Sequence, residues 1–105
     1  GLPLYMAKGF DRSAVCGPLR RGPLADGAIR GLVNGALRQQ ARLSDMIWPV
    51  ADVIAHLSRL VRLAPGDLIF TGTPAGVGPL QPGDVCRVEI DGLSPAEITI
   101  AAATR

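Results

Sequence analysis

Asn34-Gly35 stands between two apolar runs, "IRGLV" and "ALRQQ". Few dipeptides restrict a chain so tightly. Both residues tolerate the left-handed backbone that a two-residue hairpin turn demands, and that turn matches the natural twist of paired strands. The dipeptide predicts an antiparallel hairpin, with strands at about 28–33 and 36–40.

The period then changes. Within "SDMIWPVADVIAHLSRLVRL" (44–63), Val50, Val53, Ile54, Leu57, Leu60 and Val61 recur at the spacing of one helix face. Pro49 suits the first helical turn, where its missing N–H costs nothing. Asp52 near the start and Arg59 and Arg62 near the end match the helix dipole. The spacing predicts a helix over about 49–61.

Two Pro-Gly-Asp turns follow. Residues 65–67 lead into the apolar strand "LIF", and residues 82–84 lead into "VCRVEID". In the latter, Val85, Arg87, Glu89 and Asp91 alternate with Cys86, Val88 and Ile90, as in a half-buried strand. "AEITIAAA" closes as a further strand. A hairpin, one helix and then strands imply an α+β fold with a mainly antiparallel sheet.

Composition fits one small domain. The chain has 105 residues, 48% hydrophobic and 19% charged, enough apolar material for a core. Its 13 glycines and 9 prolines gather in turn signals and suit strands and loops. With aromatics at 4%, the core is aliphatic and little is left for stacking nucleic-acid bases. A net charge of +2 implies no polyanionic partner, and Arg20-Arg21 reads as an exposed loop. No apolar run approaches the ~20 residues that span a bilayer. The opening "GLPLY" has no secretory pattern and no methionine, so the chain is expected to be the downstream piece of a longer, cytoplasmic protein. Cys16 and Cys86 then read as free thiols. A nucleophilic Cys16 would need a base, and nothing in the sequence brings His56 to it.

Several side chains admit a chemical and a plain reading. His56 follows Asp52 by one helical turn: an oriented acid–base histidine, or an exposed pair on a solvated face. Glu89 and Asp91 share a strand face: a chelating pair for a cation, which no third ligand accompanies, or a solvated strand face. Lys8, between Ala7 and Gly9 after an apolar stretch, could be a fixed positive charge for an oxyanion or a surface lysine. Thr71-Gly72-Thr73-Pro74 ends an apolar strand: either a simple turn, or hydroxyls and amides arranged for a carboxylate or phosphate, with Gly72 permitting close approach. "AGVG" (75–78) lacks a nucleotide-binding pattern.

The segments "AKGFDRSAVCGPL" (7–19), "LVNGALRQQARLSDMIWPVADVIAHLS" (32–58) and "LAPGDLIFTGTPAGVGPLQPGDVCRVEIDG" (63–92) together resemble the fumarylacetoacetate hydrolase family. The wording is most similar to its bacterial fumarylpyruvate hydrolases. The resemblance implies a mixed, mainly antiparallel β-roll with few helices, a homodimer, and a small-molecule acylpyruvate substrate from aromatic-compound catabolism. It implies Mg2+ or Mn2+ at the dioxo end of that substrate, a Glu–His pair activating water, and a pyruvate enolate leaving group. It makes Lys8 the catalytic lysine beside the metal, Thr73 the threonine holding the substrate carboxylate, and Gly72 its neighbour for close approach. The family's acidic metal ligands and its Glu–His pair lie upstream of the lysine motif and have no counterpart here. Residues 1–105 therefore resemble the C-terminal portion of the catalytic domain, supplying no metal ligand. The alternatives are a 2-oxo acid decarboxylase or isomerase of the same family, or a truncated dimerisation module without catalysis. A half-roll would expose sheet edges and apolar surface and tend to associate.

Overall fold

Asn34 takes φ +52° and Gly35 φ +80°, the conformation the hairpin turn requires. In the computed structural model, which describes residues 14–24 and 26–102, the turn joins β1 (Ala28–Val33) to β2 (Ala36–Arg42). A single 3₁₀ turn, Leu43–Asp45, leads towards α1 (Val50–Leu60). β3 (Val85–Ile90) and β4 (Ala96–Thr99) follow. The strands form one sheet in the order β2-β1-β3-β4, and every pair is antiparallel. This is the expected α+β arrangement of one helix and an antiparallel sheet.

The helix falls one residue inside its expected limits. Pro49 is its N-cap, and Val61 leaves it at φ −137°, ψ 153°. Helix ends are soft by a residue or two. The second strand runs two residues past expectation because Ala41 and Arg42 continue to pair with Ile29 and Ala28.

One irregularity shapes what comes next. Gly31 lies opposite Gln39, but Leu32 lies opposite Leu37, so Arg38 is an extra residue in β2. Such a bulge bends the strand and shifts register. Directly paired residues share a sheet face. One face carries Ile29, Gly31, Gln39, Ala41, Val88 and Ile98; the other carries Arg30, Arg87, Glu89 and Glu97.

The polar face is laced by ion pairs, Arg87–Glu89 at 2.8 Å and Arg87–Glu97 at 3.3 Å. The apolar face is thinly covered. Ala28 is the one buried apolar side chain among the described residues. Val50, Ile54 and Leu60 of α1 remain exposed. The radius of gyration is 15.3 Å, against the roughly 13 Å of a compact domain of this length.

Two expectations are corrected. Residues 68–70 form no strand: they enter no ladder among the described residues, and Leu68 and Phe70 lie exposed. Their sequence is strand-competent, but a strand exists only when a neighbour's edge accepts its backbone groups. The alternating pattern of 85–91 also stops at Ile90. There Asp91 turns aside to accept the Ala28 amide.

Candidate functional site

Both Pro-Gly-Asp turns close in the same way. The Asp67 carboxylate accepts the Ala64 amide at 2.8 Å, and the Asp84 carboxylate accepts the Gln81 amide at 2.9 Å. Between them, residues 71–78 pass along the β2 side of the sheet's apolar face.

The docking is close. Gly76 has φ +107°, and a Cβ there would collide with the Arg38 carbonyl oxygen at the bulge. Only glycine fits both constraints. Three residues earlier, the Gln39 side-chain amide donates to Thr73 Oγ1 and to the Pro74 carbonyl, each at 2.7 Å. The loop is thereby tied to β2 by one side chain and one backbone approach.

Thr71, Gly72, Thr73 and Pro74 form one wall of an open cavity of about 590 Å³. Ile29 and Ala41 of the sheet, Met46 and Trp48 of the β2–α1 connection and Val53 of α1 contribute to the other walls. Gly72 has φ +93° with open space where a Cβ would project, so its place in the wall is a backbone requirement. Mostly apolar walls carrying the hydroxyls of Thr71 and Thr73 suit a small ligand with an apolar body and a few polar groups. Arg42 and Asp45 also line this cavity. The guanidinium of Arg42 is paired to Asp26 at 3.0 Å, and the Asp45 carboxylate accepts the Arg42 amide. Asp26 also accepts the Ser44 amide; that bond above all, helped by Arg42, holds its carboxyl below the ordinary aspartate value.

Of the residues singled out from sequence, Gly72 and Thr73 lie together on the cavity wall. Lys8 lies outside the described residues. The His56 and Trp48 rings meet edge-on with centroids 5.0 Å apart, beside an adjoining depression of about 350 Å³ that also touches Asp52 and Arg59. No hydrogen bond joins His56 to Asp52 among the described residues. Glu89 is paired to Arg87, and Asp91 to the Ala28 amide and to Arg30 at 3.2 Å, so they do not act as a chelating pair. Cys16 donates to its neighbouring Gly17 carbonyl, and Cys86 is half-buried. Among the described residues no group of three acidic, histidine or cysteine side chains could hold a metal ion.

Gln39 carries the loop, yet nothing singled it out within "RQQ". Its signal was the hairpin register, and the bulge conceals that. Counting back from Asn34-Gly35 pairs Gly31 with Arg38, not with Gln39.

Residues 1–101 match the family described as "Fumarylacetoacetate (FAA) hydrolase C-terminal". A fumarylpyruvate hydrolase of a Ralstonia species is 36% identical over 106 residues, covering 98% of this chain and 55% of its own length. An oxaloacetate tautomerase of Escherichia coli is 40% identical over 102 residues, 90% of this chain and 45% of its own. The crystal structure of Pseudomonas aeruginosa fumarylpyruvate hydrolase, in complex with Mn2+ and pyruvate, superposes at a TM-score of 0.72 with 40% identity, over 74% of this chain and 34% of that one. The chain spans about half the length of the curated relatives it matches.

Proposed function

We propose a function that starts from one fact: the chain belongs to the fumarylacetoacetate hydrolase family. Relatives at this similarity include a fumarylpyruvate hydrolase and an oxaloacetate tautomerase. In our reading, residues 1–105 are the C-terminal portion of a catalytic domain and form one side of its substrate pocket. The longer protein splits a C–C bond of an acylpyruvate, converting fumarylpyruvate and water to fumarate and pyruvate. Water adds to the acyl carbonyl, the bond to the pyruvyl carbon breaks, and pyruvate departs as an enolate that takes up a proton.

The observation that carries this reading is the cavity wall at 71–74, where Thr73 presents a hydroxyl beside a glycine of positive φ. Thr73 binds the substrate carboxylate, Gly72 allows the approach, and Lys8 is the cation that steadies the departing enolate. Charge on that leaving group is what makes the bond hard to break, so a fixed cation lowers the barrier. The described residues do not fit a divalent metal, for they offer no ligand set. Mg2+ or Mn2+, where it is used, is held by residues outside this chain. The complete enzyme is read as a cytoplasmic homodimer; the thinly covered apolar face supports association. No helix among the described residues is long and apolar enough to cross a membrane.

The test is turnover of fumarylpyruvate with Mg2+ or Mn2+, followed by pyruvate release. The full-length protein turns over and the 105-residue chain alone does not. Turnover by the isolated chain rejects its assignment as one side of a pocket. A second reading, action on a 2-oxo acid without hydrolysis, is supported by the tautomerase likeness. Interconversion of oxaloacetate tautomers with no cleavage of fumarylpyruvate selects it.

A further inference from the structure

We propose that Gln39 is a positioning residue that sets the polarity of Thr73: it occupies the threonine oxygen as a donor, so that the single hydroxyl hydrogen of Thr73 points into the cavity towards a carboxylate. The proposal rests on the reading of Thr73 as a carboxylate-binding group and adds how that group is prepared.

The orientation of the Gln39 amide follows from chemistry. The Pro74 carbonyl can only accept, and it lies 2.7 Å from Nε2. The NH2 end therefore faces the loop, and its second hydrogen goes to Thr73 Oγ1. A threonine hydroxyl has one hydrogen and two lone pairs. With a lone pair taken by Gln39, which offers it no acceptor at that nitrogen, the hydroxyl hydrogen must turn elsewhere.

Gln39 is not among the residues that line the cavity of Thr73. Thr73 lines the 590 Å³ cavity, whereas Gln39 lines a separate one of about 160 Å³ shared with Gly76, Val77 and Cys86. The bulge and Gly31 make the reach possible. Gly31 is the cross-strand partner of Gln39, and a Cβ there would come within 3.3 Å of Gln39 Oε1 and 3.4 Å of its Cβ. The glutamine thus lies flat across β1 in space that a larger residue would remove.

The test titrates pyruvate into the full-length protein carrying this chain, with Mn2+, by calorimetry over a range of pH. Gln39→Glu keeps the shape but replaces the donor by an acceptor, so Thr73 donates backwards. Its dissociation constant is expected to rise about tenfold or more at pH 7. Relative to wild type, the loss should shrink as pH falls towards the ordinary glutamate value of about 4.3, where the introduced carboxyl is protonated and donates again. Thr73→Val should also weaken binding, and in that background Gln39→Glu should cost at least about threefold less than in wild type.

Equal effects of Gln39→Glu in both backgrounds, or a pH-independent loss, overturn the positioning role while leaving Thr73 as a binding group. An unchanged constant in Thr73→Val overturns the carboxylate reading and this proposal with it. If Gln39→Glu does not fold, Gly31→Ala decides. It crowds Gln39 without touching Thr73, is expected to weaken pyruvate binding severalfold, and overturns the proposal if binding is unaltered.

Discussion

Asn34 and Val85 clasp each other through two hydrogen bonds. The Asn34 amide donates to the Val85 carbonyl, and the Asn34 side-chain carbonyl accepts the Val85 amide, both at 2.9 Å. The hairpin tip is thereby fastened to the start of β3, fifty-one residues away in sequence. Asn34 Nδ2 further donates to the Asp84 carboxylate at 2.9 Å. One residue supplies the turn's left-handed backbone and the lock between two sheet segments.

Asn34→Gly keeps the turn and removes the side-chain half of the lock. It should destabilise the full-length protein by about 1–2 kcal/mol, from lost hydrogen bonds, one of them to a charged group. Asn34→Ala should cost more, because alanine resists φ +52°. Denaturant midpoints of the two variants check the order.

Acid should loosen the same joints. Asp84 is held below its ordinary value chiefly by the Gln81 amide and then by Asn34; Asp91 chiefly by the Ala28 amide and then by Arg30. In both, the folded state favours the ionised form. Their contribution is therefore complete above the unfolded value of 3.8 and is lost as pH falls through the lower folded values. Stability in the full-length protein should decline below about pH 4. Asp91→Asn should make that decline shallower while lowering stability at neutral pH. Thermal melts from about pH 2 to about pH 7 measure both.

Gly76 and Gly35 both have positive φ, but their surroundings differ. A Cβ on Gly35 meets nothing within 4 Å, so Gly35→Ala should cost only the backbone strain, about 1–2 kcal/mol. Gly76→Ala adds a collision with the Arg38 carbonyl and lifts the loop from β2. It should weaken pyruvate binding as well as stability, whereas Gly35→Ala should spare binding. Calorimetry alongside melting separates the two.

Isolated, the chain should associate. Ile47, Leu68, Phe70 and Val77 are exposed, as are Val50, Ile54 and Leu60 of α1, and large apolar side chains left in water favour association. Light scattering of the 105-residue chain should show concentration-dependent species larger than its 10.9 kDa. The full-length protein should give one discrete size.

Sequence alone determined the features that depend on neighbours along the chain. The Asn34-Gly35 turn, the helix of Val50–Leu60 and the two Pro-Gly-Asp turns appear where backbone preference and apolar spacing put them, because a few consecutive residues settle their dihedral angles. Thr73 and Gly72 were legible as a candidate wall by their chemistry and by family resemblance, and they do line a cavity. Other outcomes needed partners from distant positions. Leu68–Phe70 has strand composition but no ladder among the described residues. Asp91 looked like a solvated strand residue until the Ala28 amide claimed it. Only the tertiary structure decided that Arg38 would bulge, because the loop's approach at Gly76 and the reach of Gln39 over Gly31 act across the sheet. That single slip of register moved the loop's anchor from an arginine to a glutamine.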